Sequence, residues 1–401
     1  MSAQAPAHAR LAVDGGAPAL PEPLPYARQV VDEDDVEAVA RAMRSGRLTC
    51  GPQVEGLERD LAERVGARHA VAFSSGTAAL HGAAFAARVG PGDQVIVPTL
   101  TFSASAACVL YQGGEPVLAD VEPGTLNLDP AEVARRIGPR TRAIVAVHYA
   151  GVPADVEAIG ALARRHGIAL IEDAAHAPGA RTARGACGAL GDMGVFSLHP
   201  AKQLTAGEGG AVTTDRDDLA ERLRRFRTHC MDRTAHERER CGGHAYDIAE
   251  LGWNYRLSDI HAALGRSQLA KLDDFLRRRR RVAAVYGERL AGLPLDLPVV
   301  PDGVVSAWHL YVVRLRLDEL SAGRDGVFAA LRAENVGVNV HYRPLHLLSL
   351  YAGRGYRPGD FPVAEDAYAR MITLPLFAGM GVRDVEGVCR AVAKVLGAYA
   401  R

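Results

Sequence analysis

Lys202 is one of only three lysines in 401 residues, with Lys271 and Lys394; arginine supplies every other basic side chain. It sits in VFSLHPAKQLTAGEGG, a Ser- and Gly-rich loop behind a short apolar run. An amine forms a Schiff base with a carbonyl, and a guanidinium does not do so usefully. The competing reading is a solvated surface lysine, which suits Lys271 and Lys394 in their charge-laced helical stretches. Asp173 ends the apolar run IALIED. A carboxylate there must be paired or must serve chemistry. It can hold a pyridinium nitrogen protonated and so make the ring an electron sink, or it can cap the turn that follows. His176, three residues on, can pack against a cofactor or touch substrate, or be structural.

Other residues complete a set. SSGTAAL (74–80) is a small-residue turn opening a helix, so its free N–H groups and helix dipole can cradle an anion. Thr77 and Ala78 are the expected donors there, against the alternative of a plain N-cap. Ser197, five residues before Lys202, offers a hydroxyl to the same anion. Gly207, Gly209 and Gly210 permit close backbone approach or positive φ around the lysine. Phe102, in PTLTFSASA, can stack on a ring or simply fill the core. Aldehyde capture, phosphate cradle and pyridinium partner together describe pyridoxal 5′-phosphate (PLP).

These residues need a scaffold that converges them. From residue 69 to about 214, apolar runs (HAVAF, QVIVP, PVLAD, RAIVAVHY, IALIED) alternate with helical stretches. Such βαβ alternation predicts a mostly parallel sheet covered on both faces. The motifs fall at strand ends, where ligands bind in sheets of this kind. We expect a large domain over 26–265 and a smaller α+β domain over 266–401, preceded by a loose Pro- and Ala-rich arm, 1–25. The arginine run 277–281 continues a helical pattern and reads as a solvated face.

Composition excludes much else. Basic and acidic residues balance at 47 each, which gives no electrostatic case for nucleic acid or an anionic membrane. The N-terminus lacks the apolar stretch of a signal peptide, and no run is long enough to span a bilayer. A cytoplasmic protein is therefore expected. Six cysteines (Cys50, Cys108, Cys187, Cys230, Cys241 and Cys389) lack CxxC spacing, so neither zinc nor a redox pair is expected.

SSGTAAL, PTLTFSASA, DVEPGTLNLDP, EDAAHAPGA, SLHPAKQLTAGEGG, LGWNYRLSDIHAALG and VHYRPLH, in that order, resemble the motifs of the DegT/StrS family of sugar aminotransferases. The resemblance runs from about residue 24 to 398. It implies a fold-type I PLP aminotransferase: an α/β large domain with a mostly parallel sheet sandwiched by helices, plus a smaller C-terminal α+β domain. It implies Lys202 as the lysine that holds the cofactor and shuttles the proton, Asp173 as the pyridine-nitrogen partner, and Thr77, Ala78 and Ser197 as phosphate contacts. It implies further that Asn254, in GWNYR, reaches the phosphate of a neighbouring subunit, hence a homodimer with shared active sites. Related sugar dehydratases carry histidine at the lysine position, so Lys202 argues for transamination, and His199 does not replace it.

The flanking segments LPYARQVVDEDDVEAVARAMRSGRLTCGPQVEGLE and HYRPLHLLSLYAGRGYRPGDFPVAEDAYARMITLPLF resemble aminotransferases of the pseudaminic acid pathway. This implies L-glutamate as donor and C4 of a UDP-linked 4-keto-6-deoxy-2-acetamido-hexose as acceptor. Cys50 departs from the glutamine of LTQGP-type sequences. His341, Tyr342, His346 and Tyr351 are candidates to line the sugar site, or belong to a structured loop. A dTDP-4-keto-6-deoxyhexose or a cyclitol ketone is the alternative substrate. A PLP-binding regulator without turnover is the alternative of another class, which the retention of Lys202 and Asp173 disfavours.

Overall fold

A computed structural model describes residues 10–232 and 244–401; Cys241 and the first nine residues lie outside these. The central sheet has seven strands in the order β1-β9-β8-β5-β4-β2-β3. They are β1 (His69–Phe73), β2 (Gln94–Pro98), β3 (Glu115–Ala119), β4 (Thr141–Val147), β5 (Ala169–Asp173), β8 (Met193–Ser197) and β9 (Gly210–Thr214). A two-residue hairpin, β6 (Arg181–Thr182) and β7 (Gly185–Ala186), separates β5 from β8. Strand β9 alone runs antiparallel to its neighbours; β8, β5, β4, β2 and β3 pair in parallel. The central strands are unbroken apolar runs because helices cover both faces. Helix Gly76–Ala86 is buried along nearly its whole length, as its Ala-rich sequence requires of a helix with no polar face.

A three-stranded antiparallel sheet, β10 (Leu295–Asp296), β11 (Tyr311–Leu315) and β12 (Met371–Leu374), carries a second core. Helices Leu272–Leu290, Arg324–Ala333 and Val382–Ala398 supply its apolar side chains. Two expectations need correction here. Residues 10–25 are not loose: Leu11 and Leu20 are buried in this second core, and Leu24 bridges to Val336. Arg279 is not on a solvated face. It is buried, and its Nη1 donates to the carbonyls of Trp308, His309 and Leu376 at 3.2, 3.3 and 2.8 Å. Burial pushes its pKa down to about 10. The heptad-like stripe Leu272, Phe275, Leu276, Arg279, Val282, Ala283, Tyr286 places it inward, so helical periodicity outweighs the charge of its neighbours.

The segment 345–367 folds back onto the large sheet. Leu345, Tyr351, Phe361, Ala364 and Ala367 share a cluster with Val95, Val97 and Leu118. Asp120, just past β3, accepts the N–H groups of Val363 and Ala364 at 3.0 and 2.9 Å, anchoring helix Pro362–Arg370 by its N-terminus. The two cores are thus tied together beside the strand ends. Among the described residues, no helix is long and apolar enough to cross a membrane.

Candidate active site

Asp173 is the last residue of β5 and is nearly fully buried. Its Oδ2 accepts the Ser105 hydroxyl at 2.7 Å, and Ser105 Oγ lies 2.9 Å from Thr101 Oγ1. Its Oδ1 accepts the Ala175 N–H at 3.2 Å, so the turn-capping reading also holds. A carboxylate has about four acceptor sites, which leaves room for one more donor.

Lys202 lies in the loop between β8 and β9, its amide bonded to the His199 carbonyl at 2.9 Å. Among the described residues its amine has no ion-pair partner within bridging distance. Burial lowers its pKa to about 8, against a smaller upward pull from Asp173. Histidines 176, 309 and 341 lie near enough to feel its charge. Burial drives the first two well below the ordinary histidine value and His341 to about 4, with the Lys202 charge adding to each shift. The amine therefore faces neutral rings and one carboxylate.

The anion cradle forms where three chain segments meet. Ser75 caps helix Gly76–Ala86, its Oγ accepting the Ala78 N–H at 3.1 Å. The Ala78 amide here makes the N-cap bond that the sequence allowed as the alternative to an anion contact. Gly76 and Thr77 keep first-turn N–H groups that no helical carbonyl can reach. Ser197 ends β8 directly beside them. A Cβ on Gly76 would stand 2.9 Å from Ser197 Cβ, and one on Gly210 would stand 2.5 Å from the Ser75 carbonyl oxygen. Glycine at both positions lets the helix N-terminus and the β8 and β9 ends close on one point.

An aromatic column borders the site. Phe102 is 56% exposed and lies 6.0 Å, centroid to centroid, from Tyr342. Tyr342 Oη is 3.1 Å from His176 Nε2, and the His176 ring is 4.3 Å from that of His309. Burial raises the Tyr342 pKa, with Asp173 adding to the shift; the phenol keeps its proton, and the His176 tautomer sets which of the two donates. His341 hydrogen-bonds through Nδ1 to Thr373 Oγ1 at 2.9 Å, and its carbonyl accepts the Tyr149 hydroxyl. Tyr26 lies 5.5 Å from the His341 ring, which brings the N-terminal segment to the site as well.

The structure thus gathers Asp173, His176, Lys202, His341 and Tyr342 around one point, with Thr77 and Ser197 meeting at the cradle and Phe102 beside Tyr342. It does not gather His346 and Tyr351. Both are buried: His346 bonds to Thr99 and Glu365, and Tyr351 belongs to the core under β2 and β3. Neither offers a surface to a sugar. Asn254 is exposed, and its side chain makes no hydrogen bond to a described residue. His309 escaped the sequence reading because HLYVVRLRL reads as an ordinary strand; its position at the strand's N-terminal edge was the available signal.

One buried cluster invites a metal and does not suit one. His148, Glu172 and Cys187 lie close together. His148 Nδ1 accepts the Ala154 N–H at 3.0 Å and its Nε2 meets Glu172 at 2.9 Å. Glu172 also accepts the N–H groups of Gly188, Leu190 and Gly191. The histidine and carboxylate are occupied in bracing β5 against the 188–191 turn.

The fold and the donor set around Lys202 are those of a PLP-dependent enzyme of fold-type I. Residues 29–393 match the model of the DegT/DnrJ/EryC1/StrS aminotransferase family, and the chain belongs to that family. It is 40% identical over 379 residues to the spore coat polysaccharide biosynthesis protein SpsC of Bacillus subtilis (strain 168), covering 93% of this chain and 97% of that one. Among solved structures it is similar to PseC of Helicobacter pylori, an aminotransferase of pseudaminic acid biosynthesis. The TM-score is 0.87 at 28% identity, covering 94% of this chain and all of that one. It is similar also to DesI, solved in the presence of its TDP-sugar product. There the TM-score is 0.86 at 34% identity, over 97% of this chain and 95% of that one. The protein is a sugar aminotransferase with PLP as cofactor. The residues present fit that group: a buried carboxylate with spare acceptor capacity, an amine of lowered pKa, and an N–H cradle closed by Ser197.

Proposed function

We propose that this chain moves the amino group of L-glutamate to C4 of a nucleotide-linked 4-keto-6-deoxy sugar, forming UDP-4-amino-4,6-dideoxy-N-acetyl-β-L-altrosamine. The observation that carries the reaction is the buried Lys202 amine, whose pKa burial lowers to about 8 in a site with one carboxylate, Asp173. PLP supplies the electron sink that makes a Cα proton removable. Lys202 holds the cofactor and then, released, takes that proton and returns it on the far side of the transfer. Asp173 keeps the pyridine nitrogen protonated, with Ser105 fixing its orientation. Thr77, the helix N-terminus and Ser197 hold the phosphate, Phe102 covers the ring, and His176 borders it. His341 and Tyr342 face the sugar.

Asn254 serves the phosphate of a second copy, so the working unit is a homodimer. Its exposed side chain, without a hydrogen-bond partner among the described residues, and the apolar residues exposed near it in sequence (Tyr246, Ile248, Leu251 and Trp253) support this. Soluble nucleotide-linked substrates suit a cytoplasmic enzyme. The match in shape to PseC and the flanking segments support the UDP-linked acceptor. The similarity to DesI supports a second reading, a dTDP-linked 4-keto-6-deoxyhexose.

A half-reaction separates the two. Glutamate converts the yellow enzyme to its pyridoxamine form; the amino acid is removed and keto sugars are added while the yellow absorbance returns. Fast return with the UDP-linked 4-keto-6-deoxy-L-altrose derivative is expected. Return only with a dTDP-keto sugar or a cyclitol ketone overturns the first reading and leaves the lysine chemistry standing.

A further inference from the structure

His346 is fully buried, yet both of its ring nitrogens are hydrogen-bonded. Its Nδ1 lies 2.7 Å from Thr99 Oγ1, and its Nε2 lies 2.9 Å from Glu365 Oε1. An ionised carboxylate only accepts, so Nε2–H donates to Glu365, and Nδ1 accepts the Thr99 hydroxyl proton. The Leu345 N–H donates to the Thr99 carbonyl at 2.7 Å, and the Thr99 N–H to that of Ala119 at 2.8 Å. Glu365 also accepts the N–H groups of Gly359 and Phe361. One histidine thus joins the sheet edge at β2 and β3 to two stretches of the returning C-terminal segment.

What this junction carries decides its meaning. Four residues before His346 is Tyr342, whose hydroxyl reaches His176 beside Lys202. Tyr342 is held at its tip by His176; on its N-terminal side His341 is tied to Thr373 and Tyr149, and on its C-terminal side the chain is fixed by the His346–Thr99 junction. Phe102 lies three residues after Thr99, but it has its own supports: the Ser105 N–H bonds to the Phe102 carbonyl, and Ser105 is tied to Asp173. Loosening the junction should therefore displace Tyr342 and leave Phe102, Asp173 and the phosphate cradle in place.

We propose that His346 is a positioning residue: through Thr99 it fixes the Tyr342 loop against the sheet edge, and so sets keto-sugar affinity without touching sugar or cofactor. This rests on the reading of Tyr342 as sugar-facing. The test is Thr99→Val, which removes one hydroxyl and little volume, measured on the holoenzyme beside Thr99→Ser, which restores the hydroxyl. Two readouts are taken. Hydrogen–deuterium exchange should rise in residues 339–348 and stay unchanged in 100–108 and 195–210. The KM for the keto sugar should rise about tenfold, the scale of one buried hydrogen bond, with kcat and the glutamate half-reaction within about twofold. Thr99→Ser should return both readouts close to wild type.

Unchanged exchange in 339–348 overturns the proposal, as does increased exchange with an unchanged ketone KM, or an equal loss in the glutamate half-reaction. If the wild type accepts no nucleotide-linked keto sugar, the substrate assignment fails. The junction is then judged by exchange and by KM for whichever ketone is accepted. Should Thr99→Val not fold, Glu365→Gln weakens the other end of the same histidine and is read in the same way.

Discussion

Lys202 and Lys394 are the same side chain placed in opposite surroundings. Lys394, on helix Val382–Ala398, lies 2.7 and 2.9 Å from the two oxygens of Glu334 and 2.8 Å from the Ala17 carbonyl. Glu334 is fully buried and also accepts the N–H groups of Ala12 and Ala19 at 2.9 and 2.7 Å. That junction pins the N-terminal segment to the second core. Lys202 has no such partner among the described residues; burial lowers its pKa, against a smaller upward pull from Asp173. A saturated amine is a structural tie. An amine denied a close partner is a reagent. Lys271 belongs with the first kind: it pairs with Asp32 and Asp35, and hydrogen bonds to both raise its pKa. The expectation that Lys271 and Lys394 are merely solvated therefore fails, and lysine is spent in this chain only where a compact ammonium or amine is needed.

The contrast predicts that the two lysines fail in different ways. Lys202→Ala should lose at least about 10⁴-fold in turnover, the upper scale of acid–base catalysis, and keep a wild-type circular dichroism spectrum and cooperative melt. Normal turnover without added amine would end the assignment of Lys202. Asp173→Ala should cost about 10²–10³-fold, the scale of one preorganised electrostatic group. The loss should fall on removal of the substrate Cα proton, read by a deuterium isotope effect, more than on cofactor retention. Wild-type rates in that variant would show that the carboxylate only caps its turn.

Lys394→Met should do the reverse. It strands a buried carboxylate, which costs about 3 kcal/mol, read as a lower urea midpoint at unchanged slope. Proteolysis between residues 10 and 25 should quicken, while activity per folded molecule holds. A midpoint within error of wild type would mean that the two backbone N–H groups suffice for Glu334.

This division also explains what could be read without coordinates. The strand-end positions of Asp173 and Ser197 and the loop position of Lys202 are legible because each closes or follows a short apolar run, and strand ends converge in a parallel sheet. The fold class was legible for the same reason. The Glu334–Lys394 tie and the Thr99–His346 junction were not, since they join residues 60 and 247 positions apart with no periodicity to connect them. His346 and Tyr351 looked functional because they sit near His341 and Tyr342 in sequence. The chain turns after Pro344 and carries them into the core. Arg279 lay in the opposite error: five like charges suggested solvent, and the helical stripe already assigned one of them inward.

The smallest expected effect concerns pH and tests the comparison at its root. Cofactor capture needs the free amine, so its rate in the apoenzyme should climb from about pH 7 to 9 and level off, following a pKa of about 8. A Lys202 with an ordinary value of 10.5 would keep accelerating well past pH 9. The same shift has a signed consequence for stability. Between about pH 8 and 10.5 the unfolded chain holds a proton at this lysine that the folded chain has released. Lys202's contribution therefore makes the apoenzyme more stable as pH rises through that window, and is a fixed penalty below it. Melting temperatures of apo wild type and Lys202→Met should converge toward pH 10, with the variant ahead below pH 8. Parallel curves would mean that Lys202, like Lys394, has found a partner.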